Sequence, residues 1–449
     1  MKYIKSFLNK GSERSALAKK NIFYSFFLQG SNIIIGLLFV PLLINYLDPE
    51  RYGIWLTLTS IVGWFTFFDV GLGNGLRNNL TVALAKENIR LAKEYISTTY
   101  FILAIIFCTV LLIFYIVNPS LDWQKILNTK SVNKDELSLL ALIVFTFFFL
   151  RFIFNIIGVI LNADQRPALN NIFAPIGNFI SLLIIYILTF TTKSNLVLMG
   201  LVLSVSPVTI LFIASIILFK GKYENIKPSL SSIKWNHASI LLGLGLKFFT
   251  LQISALILFS TSNIIITQFL GAKYVTIYNI AFKYFQLPIM LFNIIMMPVW
   301  SAVTDAFARE DFEWLKRTLL KLNKISCLFF IGIIFMLCIS PFIYDFWIGR
   351  KVHIPFIVSA TMALYAIMTV FISPYSNYIN GLGKLHIIYR LVMLTSLLYI
   401  PLAILLAKTP LQAAGVILAT CIINSINIPF YIIQTNKIIN NRAEGIWNR

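Results

Sequence analysis

Four cationic side chains stand where cations are expensive: Arg151, Lys247, Lys283 and Arg390 fall inside long apolar runs of the 449-residue chain. A central Lys or Arg in a bilayer costs roughly 2.5 to 3.5 kcal/mol on insertion scales, so each needs either an escape route or a purpose. Arg390 lies about one helical turn, and Lys247 about two, from a predicted cytoplasmic span end, so both can snorkel to the headgroups. Arg390 accordingly reads more as a snorkelling residue than as a ligand. Arg151 is near the middle of its run and Lys283 about two turns inside its own, with no such route. Arg151, Lys283, Lys247 and Arg390 form the candidate substrate-binding set.

The two deeper cations belong to polar stripes. Arg151, Asn155, Gly158 and Asn162 recur at i, i+4, i+7 and i+11, and Asn279, Lys283, Gln286 and Asn293 at i, i+4, i+7 and i+14, each a single helical face. Gln29, Asn32 and Gly36 make a shorter stripe. Gln29, Asn32, Asn155, Asn162, Asn279 and Gln286 are candidate cavity lining, although uncharged amides also serve as hydrogen-bonding glue between helices. Against the four cations stands one clear intramembrane acid, Asp69, so the interior is net cationic. Arginine offers phosphate a planar bidentate fork and lysine a point charge, which suits an anionic cargo. Asp69 fits either a structural ion pair or a titrating, ion-coupling site.

Other chemistries lack their residues. His237, His353 and His386 show no metal spacing, and Cys108, Cys327, Cys338 and Cys421 fall in apolar segments at no redox or metal spacing, so no metal site is expected. The GLGNG run at Gly71 to Gly75 follows no strand and is not a dinucleotide fingerprint. Without a phosphate-binding lysine loop, a nucleophile elbow or paired carboxylates, neither a catalytic residue nor a cofactor is expected.

These residues need helices in a membrane to position them. The chain is 58% hydrophobic and only 12% charged, with mean hydropathy +0.83, against about 25% charged in a soluble protein. Apolar runs bounded by charges, Pro, Gly and Asn predict an all-α polytopic membrane protein of twelve transmembrane helices. The first six lie near 22–46, 53–76, 96–117, 138–161, 168–190 and 196–219. The second six lie near 239–270, 275–300, 325–347, 354–380, 387–407 and 411–434. A net charge of +20 would suggest nucleic acid in a soluble protein, but here the cations crowd short loops, so no nucleic-acid partner is expected. With the N-terminus inside, inner loops carry 24 Lys and Arg and outer loops 9, which by the positive-inside rule puts both termini in the cytoplasm. The basic, amphipathic first twenty residues lack the apolar core and cleavage site of a signal peptide.

The chain also repeats itself. At an offset of 223, Ala83 to Glu94 (ALAKENIRLAKE) aligns without a gap on Ala306 to Arg317 (AFAREDFEWLKR), and Leu28, Gln29 and Leu47 align on Leu251, Gln252 and Leu270. At an offset of 218, ILNADQR (Ile160 to Arg166) matches YINGLGK (Tyr378 to Lys384). The expected architecture is two homologous six-helix lobes, 1–219 and 239–449, joined by a cytoplasmic connector at 220–238. Equal topology in both halves suits a transporter with a central cavity between its lobes.

RYGIWL (Arg51 to Leu56), DVGLGNGLRNNL (Asp69 to Leu80) and the charged segment after them resemble the O-antigen (Wzx-type) polysaccharide-repeat-unit flippase family, most specifically over Asp48 to Glu94. The resemblance implies the fold of the multidrug/oligosaccharidyl-lipid/polysaccharide exporter superfamily, alternating between inward-open and outward-open states. It implies as cargo an oligosaccharide unit on undecaprenyl diphosphate, moved across the bacterial cytoplasmic (inner) membrane for lipopolysaccharide biosynthesis, with a proton or sodium gradient as drive. Membrane lipids, a polysaccharide polymerase and chain-length machinery are the implied partners. A multidrug exporter of the same superfamily usually carries cationic cargo through an acidic cavity, against which four cations to one acid argue. A peptidoglycan-precursor flippase shares the diphosphate logic but typically has helices beyond twelve.

Overall fold

The computed structural model describes residues 13–65, 72–164, 166–238, 261–296, 299–382, 384 and 386–448. Among them every regular element is a helix. The bilayer accounts for that: without water, each backbone N–H and C=O must be satisfied within its own segment. The helices are α1 (Glu13–Tyr46), α2 (Pro49–Gly63), α3 (Leu72–Ala85), α4 (Ile89–Val117), α5 (Lys134–Phe154), α6 (Ile156–Ala163), α7 (Pro167–Asn170), α8 (Phe173–Thr191) and α9 (Leu196–Lys220). After them come α10 (Ala272–Met296), α11 (Val299–Ala308), α12 (Phe312–Ile348), α13 (Phe356–Leu382), α14 (His386–Ala407) and α15 (Ala413–Ile439).

Among the described residues nine helical stretches are long and apolar enough to cross a bilayer, and Gly30–Tyr46 is a shorter apolar helix. The nine correspond to predicted spans three to six and eight to twelve, with close ends such as Leu196–Lys220 and His386–Ala407. The predicted second and seventh spans run through 66–71 and 239–260, which lie outside the described residues. Large side chains such as Phe190, Phe342 and Phe346 stand exposed on these helices, as expected where hydrocarbon replaces water as the solvent.

Contacts divide the chain into two compact units, Met1–Asp48 with Ile61–Ile253, and Pro49–Ser60 with Ser254–Arg449. In the first, α8 packs on α1 and α9, α9 on α5, and α3 on α4 and α6. Its core includes Phe114 stacked on Phe145 with ring centroids 3.9 Å apart, and the buried Trp123, whose indole N–H donates to Asn118 Oδ1 at 2.7 Å. In the second unit, α13 packs on α10, α11, α12 and α15, and α14 on α15.

The repeat read at an offset of 223 is a helix–turn–helix built twice. Glu87 and Glu310 both take positive φ, 53° and 59°. Asn88 N–H donates to Ala83 O at 3.0 Å and Asp311 N–H to Ala306 O at 2.9 Å. The next helix is capped alike: Asn88 Oδ1 accepts from Leu91 N–H at 3.0 Å, and Asp311 Oδ1 from Trp314 N–H at 2.9 Å, satisfying an orphan donor of the first turn. Both follow with an i, i+4 ion pair, Arg90 with Glu94 and Glu313 with Arg317, in opposite charge order.

Candidate functional site

The predicted Arg151, Asn155, Gly158, Asn162 face is not one straight helix. Asn155 (φ −68°, ψ −10°) separates α5 from α6, its N–H donating to Arg151 O at 2.8 Å. Gly158 and Val159 both donate back to Asn155 O, at 2.9 and 3.2 Å, a tightened turn of the kind that marks a joint. The neighbouring span is broken too. Pro167 starts the short α7, Asn171 N–H donates to Pro167 O at 2.9 Å, and α8 starts afresh at Phe173. Proline serves at a helix start because its fixed φ is already helical and it has no N–H to leave orphaned.

The two breaks border one cavity of about 270 Å³, inside the first unit. Arg151 and four asparagines, Asn32, Asn155, Asn170 and Asn171, supply its polar wall; Phe173, Pro175 and Pro207 are among its apolar residues. Gly177 brings α8 close to α9 beside it, since a Cβ there would lie 2.9 Å from Pro207 Cα. Arg151 is exposed to this space and lies about 18 Å along the helix from its Ala163 end, at 1.5 Å per residue. Among the described residues the Arg151 guanidinium has no hydrogen-bond or ion-pair partner. Asn32 is held in place by Asn178, whose Nδ2 donates to Asn32 Oδ1 at 2.8 Å. Asn170 packs against α6 because position 158 is glycine: a Cβ there would come within 3.0 Å of Asn170 Cγ and closer still to its Oδ1.

The other expected residues distribute differently. In the second unit Lys283 is half-buried on α10 and its Nζ donates to Tyr52 Oη at 3.4 Å. Asn279 is committed to helix contacts, its Nδ2 donating to Asn263 Oδ1 at 2.9 Å, while Asn263 Nδ2 donates to Ser60 Oγ at 2.8 Å. Gln286 is half-buried on the same helix, and Asn162 is half-buried on α6, outside the cavity wall. Arg390 is exposed in the second turn of α14, without a side-chain partner among the described residues. Asp69 and Lys247, and the side chain of Gln29, lie outside the described residues. Sequence reasoning thus anticipated Arg151, Asn155 and Asn32 as cavity residues and missed Asn170 and Asn171. Their available signal was an asparagine pair three residues after Pro167, in a run otherwise read as one continuous helix.

The segment 220–238, expected to be a connector, lies within the first unit. Asp164 accepts hydrogen bonds from Lys222 and from Tyr223 Oη, the latter at 2.7 Å, and forms an ion pair with Arg166 at 3.2 Å. Burial, and then the Asp164 carboxylate, push the Tyr223 phenol above its ordinary range. Ser229 N–H donates to Ser97 Oγ and Lys234 N–H to Thr98 Oγ1, both at 3.1 Å, and His237 Nε2 meets Glu94 Oε2 at 3.0 Å.

Bilayer-length apolar helices, with a polar cavity where two of them break, define a multi-pass membrane protein of the transporter type. The fold is similar to that of a solved multidrug resistance MATE family transporter of the MOP superfamily in its inward-facing conformation, with a TM-score of 0.77 and 15% identity over 92% of this chain and 95% of that one. The polysaccharide biosynthesis protein family matches residues 18–303, and the chain belongs to that family. A Salmonella typhi protein named for O-antigen transport is 23% identical over 81% of this chain and 83% of its own length. A Yersinia pseudotuberculosis protein named for O-antigen export is 19% identical over 79% of this chain and 81% of its own length. The resemblance read from RYGIWL and DVGLGNGLRNNL agrees with these matches.

Proposed function

We propose that the protein is a flippase that moves an undecaprenyl-diphosphate-linked oligosaccharide repeat unit across the bacterial cytoplasmic membrane for O-antigen and related surface polysaccharides. One observation carries the reading: Arg151 opens into a cavity from an apolar helix, with no counter-charge among the described residues. A permanent cation held there is unfavourable unless something anionic meets it in turn. A cationic drug would be repelled there, which favours this reading over the multidrug alternative. The relatives named for O-antigen transport and export supply the sugar part of the reading.

The wider scheme is twelve spans in two homologous lobes, 1–219 and 239–449, with both termini cytoplasmic and alternating access as the transport mode. The duplicated turn at Glu87 and Glu310 supports the duplication, and the loop charge count supports the orientation. Lys283 and Lys247 are further phosphate contacts in this scheme, Arg390 a snorkelling residue, and Asp69 its ion-coupling acid. Handover to a polymerase and chain-length machinery follows on the outer face.

The test is complementation of a strain lacking its own repeat-unit flippase. Arg151→Ala should insert and accumulate normally yet fail to restore surface polysaccharide, because a charge-assisted phosphate contact is gone. Arg151→Lys should recover part, keeping the charge and losing the fork. Full complementation by Arg151→Ala would refute the reading.

A further inference from the structure

The cavity beside Arg151 holds more recognition chemistry than a phosphate requires. We propose that it is a sugar-phosphate subsite in which Arg151 takes a phosphate and the carboxamides of Asn155, Asn170 and Asn32 take the first sugar attached to that phosphate. The inference rests on the proposed function and deepens it, by assigning one piece of the cargo to one set of side chains.

Size comes first. The cavity's volume of about 270 Å³ equals about nine waters at ~30 Å³ each, at the lower edge of the ~300–1,000 Å³ usual for small-molecule sites. That admits one sugar ring with its phosphate towards Arg151.

The wall chemistry comes second. A carboxamide places a donor pair and an acceptor side by side, matching neighbouring ring hydroxyls or an acetamido group. Phe173 and Pro175 offer the cavity apolar surface for a ring's C–H face.

The commitments of these groups come third. Among the described residues the side chains of Asn155 and Asn170 make no hydrogen bond. Asn155 interrupts the helix without using its side chain as a cap. The oxygen of Asn32 is occupied by Asn178 at 2.8 Å, which leaves its NH₂ as the group available to donate. Asn178 is therefore a positioning residue, and Gly158 another, because a Cβ at 158 would press on Asn170 and come within 3.3 Å of Asn155 Oδ1. Unpaired polar groups lining a cavity are satisfied when a ligand or water meets them. Both helix breaks are at this wall, one at Asn155 and one after Asn170, as in transporters whose substrates bind at interrupted helices.

The experiment is equilibrium binding to the detergent-purified full-length protein, with N-acetylglucosamine 1-phosphate, glucose 1-phosphate, glycerol phosphate and inorganic phosphate as probes. Glycerol phosphate stands for a phospholipid headgroup, so a site for membrane lipid would prefer it. At least one sugar phosphate should bind tenfold or more tighter than inorganic phosphate and glycerol phosphate. Asn155→Ala and Asn170→Ala should each weaken sugar-phosphate binding about fivefold, the equivalent of one hydrogen bond of ~1 kcal/mol, and leave inorganic phosphate unchanged. Arg151→Ala should weaken every probe. Sugar phosphates binding no tighter than the other two probes would overturn the subsite, as would alanine variants that weaken inorganic phosphate equally. Should either alanine variant fail to fold, the four probes on the unaltered protein decide alone. A failed subsite alongside non-complementing Arg151→Ala leaves the flippase standing; a complementing Arg151→Ala removes the flippase reading itself.

Discussion

Gly53 gives the sharpest stability prediction. In the second unit a Cβ at this position would lie 2.6 Å from the Ala272 carbonyl carbon, nearer still to its oxygen, and 3.2 Å from Thr276 Oγ1. Ordinary contact begins near 3.4 Å, so Gly53→Ala must push α2 from the start of α10 by more than 1 Å, the kind of overpacking that costs roughly 1–3 kcal/mol. The same shift stretches the bond from Thr276 Oγ1 to Pro49 O, now 2.5 Å, to the limit of a hydrogen bond, adding about 1 kcal/mol. Alanine's better helix propensity returns up to ~1 kcal/mol, leaving a net loss of about 1–3 kcal/mol. Gly332→Ala in α12 is the control, since a Cβ there meets nothing within 4 Å, and it should be neutral or slightly stabilising. Thermal unfolding of the purified proteins, followed by intrinsic fluorescence, reads both. If Gly53→Ala melts at or above the temperature of Gly332→Ala, the close helix contact is not what position 53 requires.

Three further outcomes are expected. In a background stripped of its native cysteines, single cysteines at Asn88 and Ser229 should label only from the cytoplasm and one at Asn128 only from outside; outer-face labelling at Asn88 would sink the orientation. Asp69→Asn should abolish gradient-dependent transport in proteoliposomes while insertion and cargo binding persist, and unchanged gradient dependence would return Asp69 to a structural role. Exchanging the first-half ion pair, Arg90→Glu with Glu94→Arg, keeps an i, i+4 pair in its intrinsically better order, worth roughly 0.2–0.5 kcal/mol, yet removes the partner of His237. Proteolysis of the 220–238 connector should then quicken several-fold, and an unchanged rate would show that His237 and Glu94 do not hold it.

What the sequence disclosed and what it hid divide along physical lines. Long apolar runs report spans because bilayer thickness fixes helix length, so Leu196–Lys220 and His386–Ala407 fall close to their predicted limits. Helical spacing nominated Arg151, Asn155 and Asn32, which line one cavity, and equally Asn162, Asn279 and Gln286, which do not line it. Periodicity has no register for a break, however. The turns at Asn155 and at 171–172 change which residues face one another without changing the composition of the run, so Asn170 was invisible beside Asn155. Gly53 in RYGIWL looked like a family mark, and its reason, a neighbouring backbone, lies more than two hundred residues away.

The duplicated turn shows the same limit from the other side. Offset alignment found ALAKENIRLAKE and AFAREDFEWLKR because similar residues solve one local problem, closing a helix with a left-handed glutamate and opening the next with a side-chain cap. Their charge order is not fixed by that local problem, since Arg90–Glu94 and Glu313–Arg317 both bridge one turn. The difference acquires meaning only in three dimensions. With the acid in the second place, Glu94 accepts from Arg90 through Oε1 and still presents Oε2 to His237 of the connector. With the order reversed, position 317 carries a cation, which cannot accept a hydrogen bond at all. The first copy of the turn thus makes a contact with His237 that the second, with Arg317 in the matching place, cannot make.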